Sequence, residues 1–593
     1  MDLRISIRKL LKLFNKKEKN KFIILFLMMV VGAIFETMGI GAIFPFVGML
    51  TNPIIIQNQE ILSYLYELFH FQSEQAFIIF AGISLLAIFV IKNLYLLFFN
   101  YAQVRVITNQ QVKLSQTLFK EYLTKPYTFH LQRNTSELLR NINNEVPKVF
   151  QGIIISVFQL LTEILVTSFI LVLLLITTPI PTMVSFVLLG GSVFAFFRFF
   201  RKKISYLGVE QQIVNAEMIK WVNQGLGASK EVKVSGKEGF FVNAYTVQNQ
   251  KSAKNGIYMT VLNIAPRYFI ETLMVTILLI TMLIVFLQGL NTTYLLSTMA
   301  IFAMSAFRLM PSITRIVSLI ATIRYSQPAL SIVYEDLFIN NDQFNSKSIE
   351  MYNRQEGIEK RMYVDSIKVN EVSFRYPKQK DYSVKDVTMT IPIGQSVAFI
   401  GESGAGKTTL VDIILGLLQP EKGNILVDGT CLNDQMSLWK QKIGYIPQTI
   451  FLSDDTIRRN VAFGIENDQI NEKAVWKALE QAQLKEFVEK LPDKLETKVG
   501  ERGVRLSGGQ RQRIGIARAL YHNPEIIFMD EATSALDNET EKEIMNAIDG
   551  LKGEKTLIII AHRLSTIENC DIVFKISNGR LVTVENKLEQ SVI

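Results

Sequence analysis

Two cysteines, Cys431 and Cys570, are all that the 593 residues contain, and no metal-ligand spacing surrounds either. A disulfide framework is therefore not expected, and the region holding both thiols belongs in a reducing cytosol. Basic residues are missing from three places: 51–75, 177–182 and 288–294 hold neither Lys nor Arg. A small-residue cleavage site is missing too. The basic start MDLRISIRKLLKLFNKKEKNK runs directly into an apolar stretch, which reads as a retained cytosolic segment and not as a signal peptide. What is abundant is apolar: 49% of residues are hydrophobic and 39 are Phe, high for a wholly soluble chain. The net charge of +9 suits nucleic acid, anionic lipid or positive cytoplasmic loops. The length suits two or three domains.

Apolar runs long enough to cross roughly 30 Å of hydrocarbon as helix lie near 22–50, 76–100, 152–178, 181–200, 264–287 and 295–320. The first and last exceed what a bilayer needs, so they tilt or continue beyond it. The segments between them alternate in charge. The first 21 residues hold eight Lys/Arg, 102–148 hold seven and 198–254 hold ten, whereas the intervening loops are those without any. This is the positive-inside pattern of six spans with the N-terminus in the cytosol. The two basic loops look helical, which extends the spans into the cytosol. In the outer loop, apolar residues at 61, 65, 68 and 69 have the spacing of one helical face; the segment either lies on the outer membrane surface or packs as a loop helix.

After residue 340 the character changes. A polar linker gives way, from about 366, to short β-branched runs alternating with helical patterns. The expected organisation is a basic segment 1–21, a transmembrane domain 22–335, a linker 336–365 and an α/β domain 366–593.

The strand-like SVAFI (396–400) runs into GESGAGKTTL (401–410), which contains G-x-x-x-x-G-K-[ST]. Gly401, Glu402, Ser403, Gly404, Ala405 and Gly406 form a loop whose backbone N–H groups cradle phosphate oxygens. Lys407 brings charge to the β- and γ-phosphates, Thr408 offers a hydroxyl to Mg²⁺, and Thr409 continues the helix whose positive end faces the phosphates. A second run, EIIFMDEATSALD (525–537), is an apolar strand ending in two acids. Asp530 suits Mg²⁺, and Glu531 is placed to polarise an attacking water. Between them, in RLSGGQRQRIGIARAL (505–520), Ser507, Gly508, Gly509 and Gln510 open a helix, a second anion-binding arrangement.

LSGGQ between these two motifs resembles the signature of ABC-transporter ATPases. The resemblance extends over the whole chain: six spans and one ATPase domain, as in a half-size exporter. It implies an all-α six-helix transmembrane domain followed by an α/β P-loop ATPase domain. It also implies a homodimer in which the signature of one subunit closes on ATP held by the other. By the same resemblance Tyr376 stacks on adenine, Gln448 is the glutamine that senses Mg²⁺, Asp537 lies at the dimer interface, and His562 contacts the γ-phosphate. VGERG (499–503) resembles the exporter-type loop before the signature. TKPYTFHLQRNTSELL (124–139) and GLGASKEVKVSGKEGFF (225–241) resemble the cytosolic segments that couple the two domains.

Cations lie inside or at the edges of the spans. Arg308 and Arg315, seven residues apart on the sixth, share one helix face about 10 Å apart; Lys92 and Arg267 fall at similar depth. Together they suit a phosphate-bearing head group. An alternative reading pairs Arg267 with Glu271, lets Lys92 and Arg315 snorkel to the head groups, and uses Glu36 and Glu163 as partners. FETMGIGAIFPFVGML (35–50), APRYFIETL (265–273) and AFRLMPSITRI (306–316) are similar to bacterial flippases of lipid-linked oligosaccharides, the protein-glycosylation type. That resemblance implies a basic belt in the cavity, matched by Arg267, Arg308 and Arg315, with Lys92 where that family has arginine. It also implies an external helix, matched by 58–71, that receives a polyprenyl tail.

The expectation is an ATP- and Mg²⁺-dependent transporter of the bacterial cytoplasmic membrane that moves an anionic glycolipid outward. Its partners are a second copy of itself, membrane lipids and the glycolipid, without nucleic acid. An exporter of peptides, bacteriocins or hydrophobic drugs is the alternative. A channel or binding protein that ATP merely gates would not need Glu531 and His562. A soluble DNA-maintenance ATPase is excluded by the six spans.

Overall fold

The structure, a computed structural model, describes residues 3–51, 53, 55–177, 179–287, 292–339, 362–530, 538–561, 563 and 567–587. The linker expected at 336–365 falls largely outside them, as do Glu531, Asp537 and His562. The chain divides into two compact units, Met1–Lys125 with Arg133–Asn345 and Pro126–Gln132 with Ser346–Ile593.

The first unit is helical. A short helix, Leu3–Lys12, precedes six long ones: Lys16–Thr51, Glu74–Thr124, Ser156–Thr177, Pro179–Gly227, Glu238–Leu287 and Thr292–Tyr334. Hydrocarbon offers no water to bond a bare peptide group, so a helix, which satisfies its own backbone, is the form an apolar run of this length takes. The second is 51 residues long, about 75 Å at 1.5 Å per residue, so it continues far beyond a bilayer. Among the described residues, Lys16–Gly39, Glu74–Thr124, Thr135–Val172 and Leu309–Ile339 are the stretches long and apolar enough to cross a membrane. The third span is entered through π-helical turns, Asn141–Glu145 and Lys148–Ile155.

Two features hold this unit together. Small residues let helices approach closely: a Cβ on Gly208 of the fourth span would collide with the backbone carbonyl of Tyr325 on the sixth, and one on Gly152 with the Ser326 side chain. Where the helices leave the apolar zone, a buried polar knot takes over. The Asp336 carboxylate, almost fully buried, accepts from Tyr122 Oη at 2.5 Å, Asn141 Nδ2 at 2.8 Å and Arg133 Nη2 at 3.3 Å. Every partner is charge-assisted, the condition under which a buried carboxylate is tolerated.

The outer loop forms helices Ile55–Asn58 and Glu60–Leu68. Leu62 packs with Ile56, Phe77 and the half-buried Leu65 and Tyr66, while Ile61, Tyr64, Leu68 and Phe69 are exposed. One face is packed, as the loop-helix reading expects, and the other is an open apolar face.

The second unit has two sheets. A small antiparallel one has strand order β2-β1-β4-β5 (Val384–Pro392, Ser366–Phe374, Lys422–Val427, Thr430–Cys431). The larger has order β10-β9-β3-β8-β7-β6 (Arg580–Asn586, Ile572–Ser577, Ser396–Ile400, Thr556–Ile560, Ile526–Asp530, Ile443–Ile446). From β9 to β6 it is parallel, and only β10 runs antiparallel. Strands covered on both faces need no polar alternation, which is why SVAFI, IIFMD and TLIII read as continuous apolar runs. Successive side chains still divide: Val397 and Phe399 join one core with Phe528 and Ile558, and Ala398 joins the other with Met529 and Ile559.

The Gly208 crossing is testable. Gly208→Val should lower the thermal unfolding midpoint of the detergent-solubilised protein, at a cost of about 1–3 kcal/mol. Gly190→Ala, whose methyl meets open space, should stay within about 0.5 kcal/mol.

Candidate functional site

The strand order dictates where chemistry gathers. β3, β8, β7 and β6 lie side by side and parallel, so the residues just past their C-terminal ends share one rim, the usual ligand edge of such a sheet. The phosphate loop leaves β3 at Gly401, Asp530 ends β7 and Gln448 stands two residues beyond β6. Glu531 and His562 come directly after β7 and shortly after β8 in the chain and lie outside the described residues.

The loop is shaped by backbone that only glycine adopts easily. Gly401, Gly404 and Gly406 have φ of 149°, 80° and 102°. A Cβ on Gly401 would collide with the Ile576 carbonyl oxygen, and one on Gly406 with that of Ser383. Gly406 caps the helix Lys407–Ile414 without any side-chain hydrogen bond, which leaves the first N–H groups of that helix to a ligand. Lys407 is buried and donates through Nζ to the carbonyls of Gly401 (2.9 Å) and Glu402 (3.0 Å), arching over the loop. Glu402, Ser403, Gly404 and Thr408 are exposed, while Ala405 and Thr409 are buried. The Thr409 hydroxyl instead meets Tyr376 Oη at 3.1 Å, tying the expected adenine-stacking ring to the phosphate-loop helix.

Negative charge is concentrated at this rim. Burial, then the neighbouring Asp530, pushes the Asp412 carboxyl up to about 6. Burial and the same two acids push the Tyr445 phenol up to about 12. Tyr127, from the segment Pro126–Gln132 that groups with this unit, has its phenol raised by burial and then by Asp412 and Tyr376. Asp412 and Tyr445 carry no motif, and sequence reading passed over both.

Ser507 caps the helix Gly508–Leu520 in a reciprocal box: its Oγ accepts from Gln510 N at 3.2 Å, and Ser507 N donates to Gln510 Oε1 at 2.9 Å. The Gln510 side chain is thus engaged in the cap. Ser507 and Gly508 are exposed, and Gly509 is buried. This helix packs into one core through Ile514, Ile516 and Leu520, whereas the phosphate-loop helix packs through Leu410, Val411 and Ile414 into the core on the opposite face of the sheet. At its far end Arg518 donates from Nε to the Asn460 carbonyl and from Nη1 to the Phe451 carbonyl, both at 2.8 Å. The strap after Gln448 is thereby held to the signature helix. Nothing in the sequence pattern singles out Arg518 from the other arginines of that helix.

In the first unit, Lys92 is half-buried with Nζ 4.5 Å from the centre of the Phe89 ring. Arg267 is exposed, and among the described residues no ion pair joins it to Glu271. Arg315 pairs through Nε with Glu163 Oε1 at 2.6 Å. The Arg308 side chain lies outside the described residues.

The family described as ABC transporter transmembrane region matches residues 22–311, and the ABC transporter family matches 384–534. An ATP-dependent lipid A-core flippase of Ralstonia nicotianae is 30% identical over 488 residues, covering 81% of this chain and 78% of that protein. One from Saccharophagus degradans is 29% identical over 514 residues, 86% of this chain and 84% of its own. The solved structure of a bacterial Atm1-family ABC exporter with ATP bound shares the fold, with a TM-score of 0.75 over 97% of this chain and 96% of that one at 22% identity. A helical membrane domain, an intact phosphate loop on a parallel sheet and an LSGGQ helix cap stand together in one polypeptide, and the chain accordingly belongs to the ABC transporters, as a half-size exporter that binds ATP and couples its hydrolysis to transport.

Proposed function

We propose that the chain acts as a homodimer in the bacterial cytoplasmic membrane, flipping a phosphate-bearing glycolipid from the inner to the outer leaflet, with its ATPase domain in the cytosol. The observation that carries the dimer is the placement of the signature. Ser507 and the phosphate loop are built on opposite faces of one sheet, so a single chain does not lay its own signature over its own loop. Two copies, head to tail, complete two sites. In each, Lys407 and the N–H groups of 404–409 hold the β- and γ-phosphates, Tyr376 carries the adenine, and Ser507 and Gly509 of the second copy close the other side. Asp537 lines the contact between the copies.

Thr408, Gln448 and Asp530 would hold Mg²⁺. The fit rests on the charge at the rim: an acid, Asp412, whose proton affinity burial and the neighbouring Asp530 raise is a setting that a divalent cation relieves. When bound, the ion neutralises phosphate charge. Glu531 orients and deprotonates the attacking water, and His562 contacts the γ-phosphate.

The cargo reading rests on Lys92, Arg267, Arg308 and Arg315 at the cytosolic end of the spans, and on the relatives named as lipid A-core flippases. A lipid-linked oligosaccharide carries the same pairing of phosphate and sugar on a long apolar anchor. The open face of Ile61, Tyr64 and Leu68 would meet that anchor on the outer side.

In nanodiscs, undecaprenyl-pyrophosphate oligosaccharide or lipid A-core should raise ATP turnover of the wild type about two- to fivefold, and Arg308→Ala should lose that stimulation. Glu531→Gln should lower turnover by at least about 10²-fold with or without lipid. Turnover that needs Glu531 yet ignores both lipids would leave an ATPase and remove the cargo reading. Gly406→Ala should weaken ATP binding at least about tenfold by equilibrium titration, because the added methyl must displace the Ser383 carbonyl.

A further inference from the structure

The third and sixth spans meet along a seam that is polar at its inner end. Arg315 forms an ion pair with Glu163, its Nε 2.6 Å from Oε1, and the two side chains differ in exposure, 49% for the arginine and 13% for the glutamate. The second glutamate oxygen, Oε2, is buried without a hydrogen-bond partner among the described residues. About one turn further along each span lie Thr167, four residues after Glu163, and Ser312, three before Arg315. Both of those hydroxyls are buried and likewise unpartnered among the described residues. Among the described residues, Glu163–Arg315 is the ion pair that joins these two spans, and Arg315 is its more exposed half.

An arginine on a helix at the membrane edge has a long, flexible stem that swings freely toward the head groups. This one is held. Its Nε side is paired with the Glu163 carboxylate, and among the described residues no hydrogen bond engages either Nη group of this half-exposed side chain. The Nη edge presents two parallel N–H donors, the fork that fits two oxygens of one phosphate. From this geometry we infer that Glu163 is a positioning residue for lipid export, fixing Arg315 so that its Nη edge receives a phosphate monoester or pyrophosphate of the cargo head group in bidentate fashion. The inference rests on the phospho-glycolipid reading above. It makes Glu163 a determinant of selectivity: a diffuse positive charge would accept any anion, whereas an oriented fork favours phosphate over a single carboxylate.

The test uses the full-length protein in nanodiscs and reads the lipid concentration for half-maximal ATPase stimulation apart from the maximal rate. Two probes share the chemistry and differ in source, diphosphoryl lipid A and undecaprenyl pyrophosphate, with undecaprenol as the phosphate-free control. Glu163→Ala should raise the half-maximal concentration of whichever phospholipid stimulates about tenfold, with a smaller change in maximal rate. Glu163→Gln, which still offers an oxygen to Nε, should recover most of that loss. Arg315→Lys, which keeps the charge and loses the fork, should resemble Glu163→Ala. In an Arg315→Gln background, removing Glu163 should change nothing further. Size-exclusion elution of each variant as a folded dimer separates these effects from misfolding.

A wild type stimulated by phospholipid whose Glu163→Ala form keeps the same half-maximal concentration overturns the positioning role and leaves the cargo reading intact. A Glu163→Ala form that responds to less lipid also overturns it, because the carboxylate would then be a competitor for Arg315. A wild type stimulated by neither phospholipid overturns both.

Discussion

Three backbone segments converge on the phosphate loop, and the rest of the nucleotide unit is arranged around that convergence. The carbonyl of Ser383, just before β2, faces both Gly406 and Gly579, and neither position has room for a side chain. Gly579 N donates to the Ala405 carbonyl at 2.9 Å, and Lys385 N donates to the Gly579 carbonyl at 2.7 Å. The β9–β10 turn, the start of β2 and the loop after β3 are thus bonded to one another by main chain alone. This joins the antiparallel sheet to the parallel one and fixes the loop in its open curl before any phosphate arrives. Preorganised donors of this kind meet developing charge without first having to reorganise. Asp571 supports the strand from below, its Oδ2 accepting from Ser396 N at 2.8 Å and Ser396 Oγ at 2.7 Å.

What could be read from the sequence follows from how local each constraint is. The phosphate loop is legible because positive φ at three glycines and a lysine at fixed offset are needed within a few residues of one another. The signature serine is legible because a helix cap and its reciprocal glutamine lie three positions apart. The clamp from Arg518 to Asn460 joins residues 58 apart, and the crossing of Gly208 with Tyr325 joins two spans. Neither leaves a periodic trace, since each depends on which surfaces the fold brings together. Asp412 is hidden for a related reason. Its chemistry comes from being buried beside Asp530, and burial of one acidic helix residue is not written in its neighbours.

The membrane half shows the same limit. Length and charge asymmetry gave the six helices, because hydrocarbon imposes one demand on every residue of a span. The outer segment is a finer case. Apolar residues at 61, 65 and 68 suggest a single face, yet Leu62 and Leu65 turn inward while Ile61 and Leu68 face out. Periodicity locates a helix and leaves open which of two apolar faces the protein covers when both exist.

Charge inside the spans is where pairing matters most. Sequence alone weighed a basic belt against mutual neutralisation as if they were exclusive. The Glu163–Arg315 contact is an ion pair, and under the inference above it serves the belt as well. A carboxylate facing a guanidinium end-on consumes its donors, but one paired on the Nε side lowers the cost of keeping the cation in the membrane and can leave the Nη fork for a ligand. With the proposed phosphate-bearing cargo, a transporter that holds and then releases its lipid gains from that compromise. A bare arginine would bind its cargo tightly and without orientation, whereas a partly satisfied one binds along a single edge and yields when the helices that carry Glu163 and Arg315 move relative to one another.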